Sequence, residues 1–382
     1  MKTTQMSDNL PISLLTVDPG MSDTKIIYRV TRFASKLFMM SPEVTEIPHS
    51  AIDFYKSQRI IAPNPENESW VEYDGILYAV GSLAHTIFNA RVEHQQGKAG
   101  WAISKILAAT GVMAVKEGLP NSFDLALAIP LPFGEWVGRS TFQRDLQKAL
   151  SEFSFCDRKL NINLKVFICV PEGGGHVMYR KARIGSDFNQ YKIISFMWGY
   201  RDISIVKFDQ GVMSGHTEPM GFMKLIELIQ DRITGNNSRD RERMLLETVH
   251  QYGKNINDKN VKHLTIASKP SHKQEQALLL AEIIRACRDE YWRRVTLLLN
   301  RHFPPDLYEV MLGGGCIDYY RNELKTFLTQ NFPKSDVSWG ADLEQDVKIT
   351  FGIAEKSKGM CARLTDVYAL SVYLMKQVYK TT

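Results

Sequence analysis

One pattern occurs twice, far apart in the chain, and it restricts the folds open to this sequence. In Ile12–Tyr28 (ISLLTVDPGMSDTKIIY) an apolar run, Ile12–Val17, breaks at Asp18-Pro19-Gly20, and a second extended run starts at Lys25. Tyr191–Phe208 (YKIISFMWGYRDISIVKF) repeats the design: apolar residues flank Gly199, and the spacing Gly20-x-x-Asp23 returns as Gly199-x-x-Asp202. Each segment reads as a β-hairpin with a Gly-containing turn. Either one alone is also what an ordinary turn requires. The recurrence predicts two related domains facing a shared cleft.

The chemistry of the first hairpin follows from its turn. Backbone N–H groups exposed around a tight turn form an anion-binding concavity. Gly20, Met21, Ser22, Asp23 and Thr24 are therefore candidates for holding a phosphate. Asp18, at the end of the first strand, is a candidate to hold Mg²⁺ through water, because magnesium takes one or two carboxylates and keeps much of its hydration shell. A third element, Val310-Met311-Leu312-Gly313-Gly314-Gly315, is a strand running into three glycines, followed by a helix-like segment at Asp318–Leu328. Bare backbone of this kind lets a flat ring approach closely.

These three pieces, in this order, resemble the phosphate-1 hairpin, phosphate-2 hairpin and adenosine motif of the actin-like ATPase superfamily, most closely the bacterial plasmid-segregation actins of the ParM/StbA type. Asp18-x-Gly20 with Lys25 is similar to that group's first hairpin. Leu77-Tyr78-Ala79-Val80-Gly81 looks like its "FVVG" strand, Pro171-Glu172 its catalytic corner, and Ala362-Arg363-Leu364-Thr365-Asp366-Val367-Tyr368 its closing helix. The resemblance spans nearly the whole chain. It implies an α/β, actin-like fold with two RNase H-like domains around a nucleotide cleft. Domain I would cover 1–190, with a variable outer subdomain at about 33–90. Domain II would cover 191–361, and a helix at 362–382 would return to domain I. It also implies ATP or GTP with Mg²⁺ as cofactors, Asp18 at the metal and Glu172 polarising the attacking water. Gly20 to Lys25, Gly199, Tyr200, Arg201 and Gly313 to Gly315 would surround the nucleotide.

The remaining segments fit that frame. The chain has 382 residues, 44% hydrophobic and 23% charged, enough for two domains that each bury a core. The apolar runs are far short of a membrane span, and MKTTQMSDNLP has no apolar signal core, so the expected location is the cytoplasm. The five cysteines lack any C-x-x-C pairing and read as inert thiols. The net charge of +5 does not itself argue for nucleic acid or lipid. Lys98–Lys116 has the periodicity of a helix with one buried face. Phe123–Ile129 reads as a strand buried on both faces, Gly138–Phe153 as a helix, and Leu160–Val170 as a strand delivering Pro171-Glu172 to a sharp corner. In the second half, Gly211–Gly221 reads as a loop and Gly221–Ile233 as a helix. Ile233–Arg243, with Asn236-Asn237-Ser238, reads as a polar connection, Gln274–Arg301 as a long helix, Asp336–Ile349 as acidic surface, and Ala362–Tyr379 as the final helix.

One departure stands out. The resembled second hairpin carries an acidic residue before its glycines, whereas here Ser195, Phe196, Met197 and Trp198 precede Gly199, and Met197 aligns with Asp18. The site thus lacks one carboxylate. Hydrolysis would be slow, or Arg201 would turn into the cleft and contact a phosphate, unless it simply pairs with Asp202. The implied function is a nucleotide-driven filament that self-associates and moves or positions DNA only indirectly, through a small DNA-binding adaptor (ParR-like). A membrane would be reached only through an adaptor. Alternatives are a cortical filament controlling cell shape, a nucleotide-sensing scaffold with little turnover, and a small-molecule kinase on the same fold.

Overall fold

The computed structural model describes residues 9–32, 34–61, 64–91, 97–233, 239–354 and 359–379. The N-terminal 1–8 and the Asn236-Asn237-Ser238 stretch of the polar connection lie outside them. The described strands are β1 (Asn9–Pro19), β2 (Thr24–Thr31), β3 (Lys36–Met40), β4 (Val44–Glu46), β5 (Ser69–Tyr73), β6 (Ile76–Val80), β7 (Ser122–Leu131), β8 (Phe153–Phe155), β9 (Arg158–Pro171), β10 (Lys192–Trp198), β11 (Ile203–Asp209), β12 (Val212–Glu218), β13 (Glu309–Gly313) and β14 (Asp336–Ser338). They form a nine-stranded sheet ordered β3-β2-β1-β7-β9-β8-β5-β6-β4 and a five-stranded sheet ordered β12-β11-β10-β13-β14.

Both expected hairpins form. β1 pairs antiparallel with β2, Asp18 opposite Lys25, and β10 pairs antiparallel with β11, Trp198 opposite Ile203. Each hairpin feeds a parallel core: β1 beside β7 beside β9, and β10 beside β13 beside β14. Strands in such a core are covered on both faces and read as continuous apolar runs, as Leu125–Ile129 does. Side chains alternate along β1. Leu15 and Val17 meet the helices Lys98–Lys116 and Arg139–Ser151, while Leu14 meets Leu370 and Leu374 of the final helix, Met360–Val378. On β2, Ile26 and Ile27 divide the same way, Ile27 packing with Val347, Leu364 and Val367.

In the second sheet, Ile194, Phe196 and Trp198 pack against Phe222–Gln230 and the 33-residue helix Pro270–His302. The opposite face takes Val177 of the helix Gly174–Ile184 against Ile193, Val206 and Met311. Gly174–Ile184 follows the last long strand of the first sheet and covers the second, so the two layers share it. Trp198 anchors this half. Its indole stacks on Tyr320 at 5.0 Å and donates to the Tyr291 hydroxyl at 2.8 Å, so a buried N–H that would be costly alone is satisfied.

Three segments differ from the sequence-based expectation. Gly211–Gly221 holds the edge strand β12, paired with β11 from Ile203–Glu218 to Asp209–Val212. An edge strand need not alternate, and Gly215 sits where a Cβ would meet the Phe133 ring at 2.4 Å. Asp336–Ile349 is not plain surface. It contains β14 and most of a helix, Ala341–Phe351, with Leu343 and Val347 buried. The outer subdomain after the first hairpin, whose prolines such as Pro42 and Pro48 read as irregular strand, includes a helix, His49–Ser57, whose Ile52 fills a small separate core with Ile47, Trp70, Leu77 and Leu83.

Candidate functional site

In open α/β sheets, ligands bind beyond the carboxyl ends of parallel strands. Here β1, β9, β10 and β13 all end at one cleft of about 800 Å³, within the usual size of a small-molecule site. Its lining includes Asp18, Gly20, Met21, Ser22, Asp23 and Lys25 from the first hairpin, Glu172 from the corner after β9, Gly199, Tyr200 and Arg201 from the second hairpin, and Gly314 and Gly315 after β13. Two expected residues stand apart from the lining. Thr24 is buried within β2, and its hydroxyl has no hydrogen-bond partner among the described residues. Gly313 faces inward, where a Cβ would meet the His176 ring at 2.4 Å and the Met197 sulfur at 2.5 Å. Its lack of a side chain serves packing, with Gly314 and Gly315 left to face the cleft.

The turns have physical reasons for their glycines. A Cβ at Gly20 would meet the Asp23 carbonyl oxygen at 2.5 Å, and Gly20 N–H donates to the Asp18 carbonyl at 2.8 Å. Gly314 has φ +95°, and its Cβ would meet the Trp198 carbonyl oxygen at 2.4 Å.

A charge network runs through the floor of the cleft. Lys25 Nζ donates to Asp18 Oδ2 at 2.6 Å, and Lys98 Nζ bridges Asp18 Oδ1 at 2.5 Å and Glu172 Oε1 at 2.8 Å. Burial pushes the Asp18 carboxyl upward, but the Lys25 and Lys98 ammoniums outweigh it and hold Asp18 well below the usual carboxylate range. Burial likewise opposes the Lys98 charge, and Asp18 with Glu172 overcomes it, raising Lys98 above an ordinary lysine. The second oxygen of Glu172 accepts from Ser204 of β11 at 2.8 Å, across the cleft. Beneath the turn, the buried Lys105 donates to the Gly20 carbonyl at 3.1 Å, and burial brings its pKa down to about 7.

Arg201 lines the cleft and forms the foreseen ion pair with Asp202, at 2.6 Å, while its guanidinium also reaches Glu135 at 3.1 Å. Burial, partly offset by Arg201, lifts Asp202 to about 6. Glu135 also caps the helix Lys98–Lys116, accepting from the Lys98 N–H at 2.9 Å and the Ala99 N–H at 2.5 Å.

Sequence reasoning missed Lys98, Glu135, Arg363 and Asp366. Arg363 of the final helix binds Ser22 Oγ at 3.0 Å and also pairs with Asp23. Asp366 accepts from the Gly173 N–H at 2.8 Å and the His176 N–H at 3.3 Å, fixing the corner that carries Glu172. The helix Arg239–Tyr252 adds Arg243, Leu246, Glu247 and His250 to the lining, beside Phe222 and Met360. That helix begins inside the stretch read as a polar connection.

The donor set fits a polyphosphate. Two buried ammoniums and a glycine turn line the cleft together with Gly314, Gly315 and the apolar Phe222, Leu246 and Met360. It does not fit a metal ion on Asp18 as foreseen, because both carboxylate oxygens already hold ammoniums. Among the described residues no cluster of three or more His, Cys, Asp or Glu side chains is arranged to hold a metal.

No family model and no curated protein sequence matches the chain. Solved structures do. The chain is similar to an archaeal actin homologue, Ta0583, at TM-score 0.60 and 12% identity, over 96% of this chain and 100% of that one. It is similar to the ParM of a 15-stranded filament from Clostridium botulinum at TM-score 0.58 and 12% identity, over 96% and 100%. It is also similar to a Bacillus thuringiensis ParM with AMPPNP at TM-score 0.56 and 12% identity, over 97% and 100%. The fold is therefore the actin-like one, two α/β domains about a cleft, as the two hairpins and the glycine strand implied.

Proposed function

We propose that this actin-like chain binds a nucleoside triphosphate in its cleft, hydrolyses it slowly and polymerises under its control. The observation that carries the reading is the convergence of both hairpin turns, the Pro171-Glu172 corner and Gly314-Gly315 on a single cleft. The phosphates would lie over the turn Gly20–Asp23 and the Lys25–Lys98 pair, and the nucleobase between Phe222, Leu246 and Met360. The similar structures add support, since one of those proteins carries AMPPNP and another forms a filament. In this reading the domains divide as 1–190 and 191–361, with 362–382 returning to the first. The first sheet's last strand ends at Pro171, the second sheet starts at Lys192, and the final helix packs on β1 and β7.

Within this proposal Glu172 orients the attacking water and accepts its proton, general-base help worth roughly 10²–10⁴-fold. Its two oxygens are held by Lys98 and Ser204, and Met197 stands where a second carboxylate would act. Both features favour low turnover and give the nucleotide-sensing scaffold a specific basis. Filaments moving DNA through a small DNA-binding adaptor remain the cellular role proposed for the polymer. Electron microscopy of the purified protein with ATP or GTP, beside phosphate release, tests the reading. Polymer that depends on triphosphate supports it; no polymer with either nucleotide refutes it.

A further inference from the structure

We infer that Lys98 is a built-in cation of this cleft, so that a nucleoside triphosphate binds on the Lys25–Lys98 ammonium pair and needs no divalent metal ion on Asp18. The inference rests on the nucleotide reading above and concerns what neutralises the phosphates.

The geometry leads there in steps. Asp18 closes β1 and Glu172 follows β9, and the two carboxylates approach each other at the cleft floor. A pair of carboxylates in such a place needs a cation. Here Lys98 Nζ supplies it, 2.5 Å from Asp18 and 2.8 Å from Glu172, with Lys25 on the other Asp18 oxygen at 2.6 Å. Each Asp18 oxygen thus already accepts from an ammonium, as does one Glu172 oxygen. A divalent ion bridged to Asp18 would face two ammoniums in close quarters, and its repulsion from each is twice that of a unit charge at the same distance. Expelling Lys98 is no remedy, because its side chain is 4% exposed and a buried ammonium stripped of a partner is costly.

Lys98 is also held where it is. It is the first residue of a 19-residue helix, and Glu135 takes the N–H groups of Lys98 and Ala99, fixing the start of that helix. A lysine at a helix N-terminus is set against the helix dipole, so the position is not explained by the helix itself. Lys25 and Lys98 both belong to the lining of the cleft that a polyphosphate would enter. Charge-assisted bonds from fixed ammoniums then do what a bridging metal otherwise does.

The experiment is a pair of titrations of the full-length protein with fluorescent N-methylanthraniloyl-ATP, one in excess Mg²⁺ and one in EDTA. The expected Kd values agree within about threefold. A loss of tenfold or more in EDTA, about 1.4 kcal/mol or more, overturns the inference while leaving the nucleotide reading standing. No binding in either buffer overturns both. Lys98→Met, checked for folding by circular dichroism, should weaken binding at least about tenfold in EDTA and recover part of it in Mg²⁺, because one oxygen each of Asp18 and Glu172 is then released for the ion. A folded Lys98→Met protein that binds like the wild type in EDTA also overturns it. The wild-type titrations stand by themselves if the variant does not fold.

Discussion

Lys105 lies under the Gly20–Asp23 turn, 1% exposed, with its ammonium on the carbonyls of Pro19 and Gly20. Burial lowers its pKa from 10.5 to about 7. Between those values the unfolded chain keeps the proton and the folded chain releases it, so the unfolded state binds more protons and stability rises with pH. Below about pH 7 both states are protonated and the full cost of the buried charge remains. Lys105→Met removes this titration. The stability gap between Lys105→Met and wild type should therefore shift in favour of wild type from pH 7 to 9.5, with a slope approaching about 1.4 kcal/mol per pH unit. Urea unfolding at the two pH values reads it; a gap that stays constant excludes Lys105 as the titrating group. Arg201 gives a second test. Arg201→Ala leaves Asp202 and Glu135 without their guanidinium and removes a cation from the cleft, so affinity should fall more for the triphosphate than for the nucleoside. Equal affinities for variant and wild type would leave Arg201 only its ion pairs. At this scale Asp18, Lys25 and Glu172 were legible because each stands beside a turn or corner that proline or glycine marks. Lys98, Glu135, Arg363 and Asp366 were not, because each acts on residues distant in sequence. The one local signal was Lys98 itself, a cation placed at the unfavourable end of a helix.

Elements announced themselves where burial imposes a period. Lys98–Lys116 is a helix over the expected residues, and the parallel strands show as apolar runs because both faces are covered. β12 did not show, since an exposed edge strand carries Ser214, Gly215, His216 and Thr217 and nothing forces alternation. The start of Arg239–Tyr252 was hidden by its run of charged residues in the sequence, although Leu245 and Val249 further along turn inward. The turn after β13 offers the element-scale test. Gly314 needs φ +95°, which L side chains rarely adopt, and has the Trp198 carbonyl 2.4 Å from where a Cβ would sit. Gly314→Ala should cost more than about 1 kcal/mol of stability, by strain and by displacement of the β10 end. Gly315→Ala, with Arg363 Cγ at 3.4 Å and no positive φ, should cost less and act mainly on nucleotide affinity. Thermal unfolding of the two variants decides it. Equal losses would mean that the turn tolerates a side chain at either position.

At the scale of the whole molecule, the repeated hairpin foretold two halves and a cleft, but not the bonds that cross it. Glu172 reaches Ser204 of the second sheet, and Arg201 of the second hairpin reaches Glu135 beside the first sheet. These contacts hold the halves together in the structure, so under the proposed function whatever changes Glu172 acts on chemistry and on closure at once. A ligand shifts a two-state equilibrium only by its differential affinity for the two states. In the proposed cycle the triphosphate favours the closed, polymerising state, and loss of its terminal phosphate weakens it. Glu172→Gln retains the shape and one accepting oxygen, enough for Ser204 or Lys98 but not both, and it removes the carboxylate that takes the proton from water. The variant should therefore bind triphosphate and polymerise, release phosphate at least about 10²-fold more slowly, and leave filaments that persist where wild-type filaments shrink. Light scattering and phosphate release followed together after addition of nucleotide read both halves of the expectation. Filaments that decay as fast as wild type with undiminished phosphate release would remove Glu172 from the chemistry. Wild-type protein that polymerises with no phosphate release at all would make the chain a nucleotide sensor, with Glu172 left as a cross-cleft clasp.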